Sequence, residues 1–180
     1  MFSLFKRKPD PEEIADDLSA LFAHISVHEL QQLSKLWGQP LDDEAQVVFF
    51  LEYSFFLTAV ADRLAHQKFG DPLRGQILNL TLNRTRGLFC RQSHFGQDIS
   101  ERIEFFESYF RDTFRLYAGC DSIMGDSQNQ VVLVASQNLV QAFLRDRTDA
   151  EKVDLLFQTA KSLTTSLVAL LQTPSFKRLC

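Results

Sequence analysis

The chain has 180 residues, 45% hydrophobic and 23% charged, which is the balance of a globular domain and excludes a disordered chain. Its formal net charge of −4 offers phosphates no general attraction, so nucleic acid is not an expected partner. Only five prolines and seven glycines are present, which favours long helices over many turns. We therefore predict an all-α fold: a flexible tail over residues 1–11 and one irregular bundle of six or seven helices over residues 12–180.

The first eight residues combine apolar and basic side chains. The apolar cluster comes before the basic one, which reverses the order of a secretory signal peptide, and we expect a cytoplasmic protein. An untethered terminus is the simplest interpretation. The alternative is a weak contact with an anionic membrane surface, made by Phe2, Leu4, Phe5, Lys6, Arg7 and Lys8.

The first helical segment begins near Glu12, and its apolar residues recur at helical spacing. Within it, Ser26-Val27-His28-Glu29 fits a capping box, the signature of a helix start. The sequence therefore predicts that the helix breaks before Ser26 and that a second, short helix runs to Trp37.

The most apolar helix is predicted from Asp42 to about Phe69, and a helix that is apolar on nearly every face is typical of a bundle centre. Glu52 interrupts it, with Phe49 and Phe56 one turn away on either side. One interpretation is an acid, base or ligand anchor in a pocket lined by these phenylalanines. The alternative is a structural ion pair with an arginine of a neighbouring helix, or a side chain that reaches solvent.

An arginine-rich segment follows, in a helix that begins at Asp71-Pro72 and is expected to end or bend at Gly87. Arg84 and Arg91 would share one face if the helix continued, and could then receive an anionic ligand or an acidic partner. The alternative is that the arginines pair with acidic residues of the next helix, namely Glu101, Glu104 and Glu107.

Residues 87–97 are predicted to form a long loop that holds Cys90 and His94. A Cys–His couple can act as nucleophile and base, but it needs a third, orienting group that the sequence does not place. We therefore assign no catalytic and no metal-binding residue, and no pattern identifies a cofactor. His94 remains a candidate for ligand binding, together with Arg84, Arg91, Glu52, Phe49 and Phe56.

Three further helices are predicted, over residues 98–118, 131–144 and 148–173. The last one begins with a clear capping box at Thr148-Asp149-Ala150-Glu151 and carries only one charge, Lys161, after Asp154. A helix so poor in charge suits either the core or one half of a homodimer interface, where charged residues are depleted.

The absence of a catalytic signature makes a non-enzymatic adaptor the leading hypothesis. In this view the protein is a cytoplasmic homodimer that binds another protein. The competing hypothesis is a protein or enzyme that binds a small apolar ligand in a phenylalanine-lined pocket anchored by Glu52.

Overall fold

The computed structural model describes residues 10–92, 98–120 and 130–179. Within these ranges the chain forms seven helices and no strand, so the prediction of an all-α fold is confirmed. The helices are α1 (Pro11–Trp37), α2 (Asp43–Lys68), α3 (Asp71–Gln92), α4 (Ile99–Ala118), α5 (Gln130–Phe143), α6 (Asp149–Leu171) and α7 (Pro174–Lys177).

Helix α2 forms the centre of the bundle, because every residue from Leu51 to Asp62 is buried. Helices α1, α3, α4 and α5 pack around it, while α6 packs on α5 and α1, and α7 on α1 and α6. Among the described residues, no helix combines the length and apolarity needed to cross a bilayer.

Phenylalanine rings fill the space between α2 and its neighbours. The Phe55 ring lies edge-on to Phe106 and to Phe110 of α4, with centroid separations of 5.4 and 5.2 Å. On another side, Trp37 stacks on Phe143 of α5 at 5.8 Å. The phenylalanines within the described ranges thus serve largely to fill the core with bulky apolar side chains.

Helix α1 is unbroken, so the predicted helix start at Ser26 is wrong. The Ser26 hydroxyl donates to the Phe22 carbonyl oxygen at 2.7 Å within the helix, a bond that lets a serine sit in a helix interior. The real boundaries are Asp10, whose carboxylate accepts from the Glu12 amide, and Gly38, which has a φ of 67° in the left-handed region that favours glycine.

Helix α3 continues through Gly87 to Gln92, so the predicted helix end at Gly87 is wrong. The buried side chains of Thr85 and Phe89 flank Gly87, and their packing outweighs the roughly 0.5–1 kcal/mol that a glycine costs a helix. Residues 87–92, predicted to belong to a loop, are therefore part of α3.

The other helix boundaries agree with the capping patterns. The Asp98 carboxylate accepts from the amides of Ser100 and Glu101 at the start of α4, and Thr148 and Glu151 form the predicted capping box of α6. The last helix was predicted to reach residue 173, but α6 ends at Leu171 and Pro174 begins a further short helix, α7.

Candidate functional site

Glu52 lies on α2 and is only 6% exposed. Its Oε1 accepts a hydrogen bond from the Tyr109 hydroxyl of α4 at 2.6 Å, and its Oε2 accepts from the Asn138 side-chain amide of α5 at 3.5 Å. The expected arginine partner is replaced by two uncharged donors. Glu52 therefore joins three helices through neutral groups.

Burial controls the ionisation of this cluster. It raises the pKa of Glu52, because a carboxylate loses hydration there, and the hydrogen bonds from Tyr109 and Asn138 offset part of that effect. Burial and the nearby Glu52 also raise the pKa of Tyr109 far above its ordinary value. Tyr109 thus stays a neutral donor at every physiological pH.

The two phenylalanines expected to line a pocket with Glu52 are buried in the core. Phe49 stacks on Tyr53 at 5.8 Å, and Phe56 lies edge-on to the same ring at 5.7 Å. Phe49 is also 6.4 Å from Trp37, centroid to centroid. These contacts give both rings a packing role.

A second buried carboxyl group, Glu29 of α1, was not singled out from the sequence. It is 3% exposed, and its Oε1 accepts a hydrogen bond from the Ser166 hydroxyl of α6. Its Oε2 is buried without a hydrogen-bond partner among the described residues, as is the hydroxyl of Tyr53. Burial raises the pKa of Glu29, and burial together with Glu29 raises the pKa of Tyr53.

The arginines of α3 pair with three neighbouring helices, beginning with Arg74, whose guanidinium lies 2.5 Å from the Asp62 carboxylate of α2. The Arg86 guanidinium pairs with Glu107 of α4 at 2.7 Å, so the predicted pairing between α3 and α4 is confirmed for this residue. Arg84 instead pairs with α1, at 2.5 Å from Glu12 and 2.6 Å from Asp16.

Arg84 and Arg91 do share one face of α3, where both line an open groove of about 700 Å³ between α1 and α3. Gly87 lies between them, and Leu80 and Leu88 supply apolar walls. Arg84 already forms ion pairs with acidic residues of α1. Arg91, by contrast, is exposed and forms no ion pair within the described ranges. Arg91 is therefore the cation that this groove can offer to an external carboxylate. His94, the third candidate of this group, lies outside the described residues.

No metal centre emerges from the described side chains, and the Cys90–His94 couple lies partly outside them. No three His, Cys, Asp or Glu residues among them are grouped to hold a metal ion. Cys90 and Cys120 are buried free thiols.

Helix α6 presents an apolar strip on its outer face, while Leu163, Leu167 and Leu170 are buried on its inner face. Three large residues of this strip are strongly exposed: Val153 by 54%, Phe157 by 66% and Val168 by 53%. Positions three or four apart lie on one side of a helix, and seven such positions fall within roughly 80° of the α6 circumference; the five central ones include all three exposed residues. We call this set the α6 stripe: Val153, Phe157, Ala160, Thr164 and Val168.

No protein-family model, no curated protein and no solved structure matches this chain.

Proposed function

We propose that this protein is a non-enzymatic protein–protein interaction module that acts as a homodimer through the α6 stripe. Single exposed apolar residues are normal on soluble domains, but a contiguous apolar patch marks a contact surface. The exposure of Val153, Phe157 and Val168 on one side of one helix is the observation that supports the proposal.

The size of the stripe sets the expected affinity. It extends about 22 Å along the helix axis, from the rise of 1.5 Å per residue. A helix pair of this length buries less than the roughly 1,600 Å² of a standard interface. We therefore expect a reversible dimer with a dissociation constant in the micromolar range.

A further protein partner would use a different surface. Helix α3 packs on α1, α2 and α4, so the groove between α1 and α3 is formed without α6. Arg91 in that groove offers a cation to an acidic side chain of the partner, beside apolar walls from Leu80 and Leu88.

Sedimentation velocity over a range of protein concentrations tests the homodimer. We expect the wild type to shift from monomer to dimer as concentration rises, and Phe157→Glu to remain a monomer, because it places a charge in the centre of the interface. The matched control is Leu116→Glu, which changes a residue of α4 that is 53% exposed. We expect the control to dimerise like the wild type.

Circular dichroism and thermal unfolding establish that both variants retain the fold. A wild type that stays monomeric at its solubility limit would refute the proposal. So would a folded Phe157→Glu variant that dimerises as strongly as the wild type.

A further inference from the structure

We infer that the two copies pair through α6 in antiparallel orientation, about a two-fold axis that passes between Ala160 and Lys161. In this arrangement Val153 of one copy faces Val168 of the other. The inference rests on the proposed homodimer and specifies the contact that forms it.

The spacing of the α6 stripe supports this register. In an antiparallel pair, a residue at a given distance before the axis meets the residue at the same distance after it. Val153 and Val168 are equidistant from the point between Ala160 and Lys161, and so are Phe157 and Thr164. By the same rule Ala160 meets Lys161 of the second copy. The outer four residues of the stripe therefore pair with one another, and they form the self-complementary part that a two-fold interface requires.

The side chains at these positions fit one another. The large Phe157 ring would face the small Thr164 of the second copy at two symmetric places. Ala160, half-buried against the core of its own chain, lies beside the axis and faces Lys161 of the second copy, and its small side chain permits close approach of the two helices. Lys161 is exposed on the flank of the stripe, where its long side chain keeps its ammonium group in water.

The charge distribution of α6 favours the antiparallel over the parallel orientation. Its acidic residues, Asp149, Glu151 and Asp154, all lie in the first half of the helix, and residues 162–171 carry no charge. A parallel pair would bring both acidic halves, and both positive helix termini, to the same end. An antiparallel pair places each acidic half beside the uncharged half of the other copy and opposes the helix dipoles, which is favourable.

Cross-linking with a short bismaleimide distinguishes the orientations. The cysteines are introduced into a Cys180→Ser background, in which Cys90 and Cys120 are buried. Val153→Cys and Val168→Cys proteins are treated separately and as a mixture. In the antiparallel register, two copies of residue 153 are about 22 Å apart along the axis, beyond the reach of the reagent. Residues 153 and 168 of different copies are adjacent.

We expect a cross-linked dimer from the mixture and from Ala160→Cys, and none from Val153→Cys or Val168→Cys alone. The control is Gln158→Cys, an exposed α6 residue away from the stripe, which should also give none. Linkage of Val153→Cys alone would show a parallel pair and overturn the inference while leaving the homodimer intact. A dimer in sedimentation with no linkage at any stripe position would reject α6 as the contact. A monomer in sedimentation would reject the proposed function itself.

Discussion

The Tyr109 hydroxyl donates a hydrogen bond to the Glu52 carboxylate over 2.6 Å, and this bond joins α4 to the most buried helix of the bundle. Asn138 of α5 contacts the other carboxylate oxygen. Because a buried carboxylate without donors costs far more than one with them, this cluster affects the stability of the fold directly.

Replacing Tyr109 by phenylalanine should lower the free energy of unfolding by about 1–3 kcal/mol at neutral pH, the cost of leaving a buried polar group without its partner. The matched control is Tyr53→Phe, since the Tyr53 hydroxyl is buried without a partner in the described structure. We expect that variant to be neutral or slightly stabilised. Urea unfolding at a fixed protein concentration, followed by circular dichroism, measures the free energy of unfolding of both variants. Equal losses in the two variants would contradict the prediction.

Glu52→Gln should change the pH dependence of stability. Because burial raises the pKa of Glu52 above its ordinary value of 4.5, the folded state holds this proton more tightly than the unfolded chain does. The contribution of protonated Glu52 to the free energy of unfolding is complete below pH 4.5. It is lost as the pH rises through the raised pKa of the folded state. Glutamine keeps an acceptor for Tyr109 and does not titrate.

We therefore expect the Gln variant to gain stability relative to the wild type between pH 5 and pH 8, as measured by urea unfolding at both values. Other titrating groups are common to the two proteins and cancel in the difference. A stability difference that does not vary with pH would show that Glu52 titrates as it does in the unfolded chain.

Ser166→Ala removes the hydroxyl that donates to Glu29 across the contact between α1 and α6. The carboxyl group then has no donor for either oxygen among the described residues, and we expect a loss of about 1–3 kcal/mol at neutral pH. Thr165→Ala is the control, because the Thr165 hydroxyl is exposed and bonds only to the Lys161 carbonyl oxygen of its own helix. If Thr165→Ala also lowered the free energy of unfolding by more than about 0.5 kcal/mol, the loss in Ser166→Ala would be due to a change in α6 helix stability and not to Glu29.

Gly87→Ala should stabilise the protein by about 0.5–1 kcal/mol, because alanine is the better helix former. The added methyl group would lie 3.5 Å from an Arg91 nitrogen, an ordinary van der Waals contact. The same substitution at Gly38 should destabilise the protein, since its φ of 67° is one that side chains rarely adopt. Thermal unfolding measures the change in melting temperature of each variant relative to the wild type. We expect an increase for Gly87→Ala and a decrease for Gly38→Ala.

The helices of this protein could be predicted from the sequence largely because apolar spacing and capping residues coincide. Asp98 and Thr148 both precede an amphipathic segment, and each proved to be a cap. Ser26 shows the same pattern but lies in the middle of a longer apolar repeat. Its hydroxyl bonds to the preceding turn, so packing of the whole helix outweighed the local signal.

Glu29 was missed as a consequence of that error. In an unbroken helix it falls on the face that also carries Phe22, Leu33 and Trp37, all of which are buried. The spacing of these residues would have predicted a buried carboxyl group. The partner of Glu52, by contrast, could not be predicted, since it depends on how α4 and α5 pack, and apolar periodicity does not encode that arrangement.

The central position of α2 has a consequence for synthesis on the ribosome. Its aromatic face is covered partly by α4 and α5, and these segments emerge only after α2 and α3 are complete. Until Phe143 has left the exit tunnel, the nascent chain exposes apolar surface that the finished bundle buries, and during that interval aggregation competes with folding. Synthesis of α4 and α5 therefore determines when the apolar surface of α2 is fully buried and no longer promotes aggregation.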